Sequence, residues 1–175
     1  SGQVKFNGVW TTANAAGAYG GSLRFASTNR SKVEQPNRNT FTIPGSIAWI
    51  AAVGPDRGRA AVSIDKGAAV TVDLYSPTQG LAVVAFAANG LAANRQHAIS
   101  VQVLGTRNVA SAGTRVDVDG FVTLNGSTVS GPLLASLAPA PLEDDMPVAV
   151  GLALAFSNIA PNPSRGDAML SFAIP

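Results

Sequence analysis

His97 is the only imidazole in the chain and there is no cysteine, so the available chemistry is narrow. A serine nucleophile needs a base held beside it, and a lone histidine can serve only one such centre. His97 opens the run HAISVQV after a turn, where it is expected to hydrogen-bond a loop at a strand edge. No G-x-S-x-G elbow accompanies it, because Gly21-Ser22 and Gly45-Ser46 sit in turn regions with other spacing. Disulfides and thiolate metal centres are excluded. Among the acids, Asp117 and Asp119 in VDVDGF lie two apart on an expected strand, which would place both side chains on one face. Like charges so placed repel unless they are solvated or bridged by a cation, so the pair reads as a cation site before a hydrolytic pair. Asp65 is expected to be a turn residue that bonds nearby backbone. The run AAGAYGG at 15–21 lacks the Lys-Ser/Thr of a phosphate loop and opens no helix.

Sugar recognition asks for something different: aromatic faces against C–H-rich ring surfaces, and planar polar groups for hydroxyls. Tyr19 stands beside Gly20-Gly21 in an expected loop, Tyr75 precedes Ser76-Pro77 at a strand end, and Trp10 ends its strand. Trp49, among Ile47, Ala48 and Ile50, is expected in the core. Arg24, Arg57, Arg107 and Asn108 fall in or near expected loops and could supply bidentate donors. With two Trp, two Tyr and seven Phe, an extended planar platform is hard to build. A chain end or short glycan is therefore a better match than crystalline polysaccharide.

The elements that must position these residues are strands. Charged residues make up 13% of the chain, half the usual share, while 18 glycines and 11 prolines punctuate it. Alternating or apolar runs appear at 3–10, 22–26, 40–43, 47–52, 60–65, 69–75, 81–88, 98–104 and 114–124. Asp65-Lys66-Gly67 joins two of them as a hairpin, with glycine the expected carrier of a positive φ. No segment carries a capped 3.6-residue period. Short strands at this spacing predict an all-β, antiparallel β-sandwich of the jelly-roll kind.

The net charge of +2 is unevenly spread. Seven basic residues face Glu34 and Asp56 within 1–60, the middle balances, and the tail holds Glu143, Asp144, Asp145 and Asp167 against Arg165. A basic excess without a run or stripe does not make a nucleic-acid surface. No apolar stretch is long enough for a membrane span. Residues 1–124 are expected to form the sandwich and 125–155, small, polar and proline-containing, a linker or extension. Ala168–Ile174 (Ala168, Met169, Leu170, Ser171, Phe172, Ala173, Ile174) adds one strand with no partner in its own segment. Its backbone groups must pair with the sandwich, another chain or residues beyond the sequence.

Several pieces, in uninterrupted order, resemble a bacterial extracellular galactose-binding-like β-sandwich appended to secreted glycosidases, lyases and surface proteins. They are FNGVWTT at 6–12, AYGGSLRFAST at 18–28, WIAAVGPDRGRAAVSID at 49–65, VTVDLYSP at 70–77, FAANGLAANRQHAISVQVLGTRN at 86–108 and ASAGTRVDVDGFV at 110–122. The resemblance implies a jelly roll in which carbohydrate-binding modules are frequent. It also implies a structural Ca2+ held by an acid in the last strand and a glutamate in the first, although QVKFNGVW here contains no acid. FSNIAPNPSRGDAMLSFAIP at 156–175 resembles the opening of the immunoglobulin-like C-terminal sorting domain of bacterial type IX secretion. Only its first strand is present, either cut or recruited to another role.

The expectation is thus a non-catalytic module of a secreted or cell-surface bacterial protein, with a polysaccharide or glycan as partner. It needs no cofactor beyond that possible Ca2+, no nucleic acid and no membrane insertion. The alternative is a self-assembling surface or filament subunit whose copies pair through Ala168–Ile174.

Overall fold

The computed structural model describes residues 4–36 and 41–130, and the backbone of Ala135–Ser136. The chain divides into two units, 1–141 and 142–175, and every described residue belongs to the first. The strand at Ala168–Ile174 and the sorting-domain resemblance lie outside the described residues.

The described elements are strands and one short turn of 3-10 helix. In chain order they are β1 (Lys5–Asn7), β2 (Thr11–Asn14), the helical turn Tyr19–Gly21, β3 (Ser22–Ala26) and β4 (Lys32–Pro36). Then come β5 (Gly45–Val53), β6 (Gly58–Ile64), β7 (Val70–Asp73) and β8 (Gly80–Leu91). The last are β9 (Ala98–Arg107), β10 (Val116–Val118), β11 (Gly120–Asn125) and β12 (Ala135–Ser136). A six-stranded sheet runs β1-β4-β9-β6-β7-β12, and two three-stranded sheets run β10-β3-β2 and β11-β5-β8. All pairings between these strands are antiparallel. The all-β antiparallel sandwich expected from the strand pattern is what the chain forms.

Alternation sends Val33, Ala60, Val62, Val72, Ile99, Val101 and Val103 of the large sheet into one core. They meet Ile47, Trp49, Ala51 and Val53 of β5 and Val116 and Val118 of β10. Fully burying each Val, Ile or Leu side chain contributes about 1.5–3 kcal/mol, so this interior is the main source of stability. Trp49 is fully buried there, as its neighbours in the sequence suggest. β5 is buried on both faces, because Ala52 packs with Ala18 and Leu23 in a second, smaller cluster on the far side.

Three sequence expectations change. The run at 3–10 is not one strand: the chain leaves the six-stranded sheet after Asn7 and enters the β10-β3-β2 sheet at Thr11. The run at 114–124 likewise breaks at Asp119, whose N–H donates to Ile50 O at 3.0 Å, and its halves join different sheets. A strand that changes layers keeps its alternation, so periodicity alone does not reveal the break. At 40–43, Phe41–Ile43 are not strand, whereas charged Lys32–Pro36 is.

The hairpin between β6 and β7 forms as expected, but its turn differs. Gly67 N donates to Ile64 O at 2.8 Å, and the positive φ values fall on Asp65 (52°) and Lys66 (62°). This is the geometry of a type I′ turn, whose two central residues are both left-handed; Gly67 closes the turn. Past β11 the chain stays on the sandwich. Gly126 N donates to Pro44 O, Ser46 Oγ donates to Ser127 O at 2.5 Å, and the Asn89 amide exchanges two hydrogen bonds with the backbone of Val129.

Candidate functional site

Antiparallel partners share a face, and the β10-β3-β2 ribbon uses this to bring distant residues together. Thr12, Arg24 and Val118 stand side by side in register. At this end of the ribbon the core opens into a cleft of about 380 Å³. Its apolar lining is Val4, Phe6, Leu23, Val118 and Phe121; its polar lining is Thr12, Tyr19, Ser22, Arg24 and Asp119.

Each polar group has a reason for its position. Gly20 (φ 68°) and Gly21 (φ 76°) take left-handed conformations that a side chain would strain, and this tight turn carries Tyr19 outward to 86% exposure. The turn is pinned from below, since Tyr19 N donates to Asp119 Oδ1 at 2.8 Å. The Arg24 guanidinium lies 4.4 Å from the centre of the Phe6 ring, a cation–π contact that holds it without neutralising it. Phe6 in turn meets Trp10 edge-on, with ring centres 5.2 Å apart, and Trp10 Nε1 donates to Asn7 O at 3.0 Å. Trp10 is therefore a half-buried support behind the cleft, not part of its lining.

The structure brings Tyr19, Arg24 and Asp119 together and sends the other candidates elsewhere. Tyr75 N donates to Asp73 Oδ1 at 3.1 Å, and Asn108 Nδ2 donates to Asp73 Oδ2 at 3.0 Å, so these two meet around a different carboxylate. Arg107 is exposed at the end of β9, opposite Gly58. None of the three lines this cleft. Arg57, expected as a loop donor, is buried, because its guanidinium is committed to Asp117 and Asp56. Phe6, Thr12, Ser22 and Phe121 were not expected at a site, and only the pairing of Thr12 with the candidate Arg24 could have exposed one of them.

Asp117 and Asp119 do not share a site. Asp117 has no exposed side-chain surface and accepts Arg115 Nε at 2.9 Å and Nη2 at 2.7 Å on Oδ1. Its Oδ2 faces Arg57 Nε. Burial pushes the Asp117 carboxyl above its ordinary value, against the Arg115 hydrogen bond and the charges of Arg57 and Arg115, which pull it down. Calcium takes six to eight oxygens, so a carboxylate enclosed by two guanidiniums does not fit the ion that the spacing suggested. Among the described residues no group of three acids or histidines could hold a metal.

His97 is a clasp. Its Nδ1 is 2.6 Å from Asp65 Oδ2 and its Nε2 is 3.0 Å from Ala92 O, while the ring stacks on Phe41. Asp65 Oδ1 accepts Ala98 N at 2.8 Å. Burial raises the Asp65 carboxyl, but the Ala98 N–H, the His97 hydrogen bond and the His97 and Arg95 charges outweigh it, leaving Asp65 below its ordinary value. Asp65 thus joins the β6–β7 turn to the start of β9, a longer reach than the local turn bond expected of it.

No protein-family model and no curated protein matches the chain. Among solved structures it is similar to the Paenibacillus xanthan lyase, at 19% identity and a TM-score of 0.50, over 69% of this chain and 12% of that one. It is also similar to a family 35 carbohydrate binding module from Clostridium thermocellum, at 10% identity and 0.45, over 69% and 91%. A third is the GH26-CBM35 β-(1,4)-mannanase of Podospora anserina, at 18% and 0.47, over 74% and 27%. The chain thus spans a small part of the two enzymes. What the xanthan lyase shares with it is the fold, an antiparallel β-sandwich.

Proposed function

We propose that the chain is a carbohydrate-binding module whose ligand sits in the cleft beneath Tyr19. The observation that carries this reading is one exposed aromatic ring beside a guanidinium, a carboxylate and two hydroxyls in an apolar cleft. An aromatic face receives the C–H side of a pyranose, and Arg24, Asp119, Thr12 and Ser22 offer donors and acceptors to its hydroxyls. A single cleft of this size takes a chain end or short glycan. The module acts by binding alone: glycoside hydrolysis uses two carboxyl groups flanking the bond, and Asp119 is the one carboxylate among the described lining residues. Such a module belongs to a secreted or cell-surface protein, where polysaccharide is met.

The test is affinity electrophoresis of the full chain through gels containing xylan, mannan, galactan, β-glucan or xanthan. Retardation by at least one polysaccharide, with affinity about tenfold weaker in Tyr19→Ala at unchanged stability, is the expected result. No retardation in any gel, together with concentration-dependent polymers lost on deleting 156–175, would replace this reading with a self-assembling subunit.

A further inference from the structure

A second cleft adjoins the same ribbon and shares Leu23 with the first. Ala13 and Leu23 are register partners on the face away from Thr12 and Arg24, and Asp117 pairs with Phe25 on that side. Beyond them, between the β2–β3 hairpin, the Pro55–Arg57 turn and Gln79–Leu81, is a concavity of about 350 Å³. This lies near the lower end of ligand cavities, which run about 300–1,000 Å³.

Its polar walls are Asn14, Asp56, Arg57, Gln79 and Arg115. No hydrogen bond joins the Asn14 or Gln79 side-chain amide to another described residue. Arg115 is fixed on three sides: Nε and Nη2 donate to Asp117 Oδ1, and the guanidinium lies 3.9 Å from the Phe25 ring centre. With 26% of its side chain exposed, its remaining edge meets the cleft. Asp56 pairs with Arg57 through Oδ1 and is half exposed, which leaves Oδ2 to accept.

The frame is rigid. Ser111 Oγ donates to Arg57 O at 2.7 Å, Ala112 N donates to Pro55 O at 2.8 Å, and Gly58 N donates to Arg115 O at 2.8 Å. These bonds lock the turn carrying Asp56 and Arg57 to the segment carrying Arg115. A buried carboxylate between two guanidiniums is not needed for stability, since apolar side chains of equal volume often do as well. What the arrangement supplies is two arginines held in one orientation at the base of a cleft, a condition for binding at low entropic cost. The charges also cancel: Arg57 and Arg115 stand against Asp56 and Asp117. A charged ligand would break that balance, whereas a neutral one with many hydroxyls meets donors, acceptors and the small apolar wall of Ala13, Ala15, Leu23 and Leu81.

We propose that this second cleft is a separate binding site for one neutral pyranose unit, held by Asn14, Asp56, Gln79 and Arg115. The choice of a sugar as ligand rests on the glycan reading above; the site itself rests on its own residues.

The experiment is residue-resolved amide NMR of the full chain, titrated separately with D-xylose, D-glucose, D-mannose, D-galactose and D-glucuronate. Saturable shifts at the amides of Asn14, Asp56 and Leu81 are expected with at least one neutral sugar in the millimolar range, about the strength of a few hydrogen bonds. Asn14→Ala and Gln79→Ala should each weaken that response about tenfold, while Tyr19→Ala leaves it intact. The proposal is overturned if no neutral sugar gives saturable shifts there, if neither amide substitution weakens them, or if glucuronate binds tighter. Loss of both responses in Tyr19→Ala would also overturn it, by reducing two sites to one. Failure at the Tyr19 cleft alone would leave these shifts unchanged, so the two readings fail separately.

Discussion

Arg115 grips Asp117 through two nitrogens on a single oxygen, at 2.9 and 2.7 Å, and thereby leaves the second oxygen to Arg57. The three side chains link β10, the Pro55–Arg57 turn and the wall of the second cleft into one unit.

Replacing Asp117 by asparagine keeps the shape and removes the charge. One amide oxygen can still accept from Arg115, but the NH2 group then faces the Arg57 Nε donor. Breaking a buried pair from one side typically costs about 3–5 kcal/mol, and a loss of that order is expected for Asp117→Asn in urea unfolding. A change below about 1 kcal/mol, the scale of an exposed pair, would show that the pair is not buried in solution.

Asp65 predicts the acid limb of the stability curve. Its folded carboxyl is held below the ordinary value, so it contributes stability above the unfolded value of about 3.9 that is lost as pH falls through the folded one. Asp65→Asn should therefore be less stable than the parent at pH 7, with the gap closing below about pH 4. Urea midpoints at the two pH values measure this. A gap that stays constant, or widens in acid, contradicts the assignment.

Gly58 is a third test, through close approach. A Cβ there would stand 2.5 Å from the backbone carbonyl carbon and oxygen of Thr114, and neither atom can swing away as a flexible side chain can. Gly58→Ala should cost about 1–3 kcal/mol by overpacking. It should also raise hydrogen exchange at the Gly58 N–H, which donates to Arg115 O. Unchanged exchange at that amide would mean the two segments are not clamped.

Much of the fold was legible in local pattern. The runs at 22–26, 47–52, 81–88 and 98–104 fall within observed strands because strand alternation and turn chemistry are short-range properties. Trp49 in the core and His97 as a loop clasp followed from their neighbours in the same way. The breaks at 8–10 and at Asp119 were not legible, since a strand crossing between sheets keeps its period.

For the sites, the sequence alone supplied residue types: Tyr19 beside two glycines, Arg24 as a donor expected in or near a loop though it lies within a strand, Asp119 near the end of the sandwich. It could not supply register. Register places Thr12 against Arg24 and Arg24 against Val118, and so decides which residues share the Tyr19 cleft. Tertiary packing also separated Asp117 from Asp119, two positions apart, by turning one toward two buried arginines and the other toward the Tyr19 turn. A carboxylate takes its role from the charges packed around it, and those come from strands far away in the sequence.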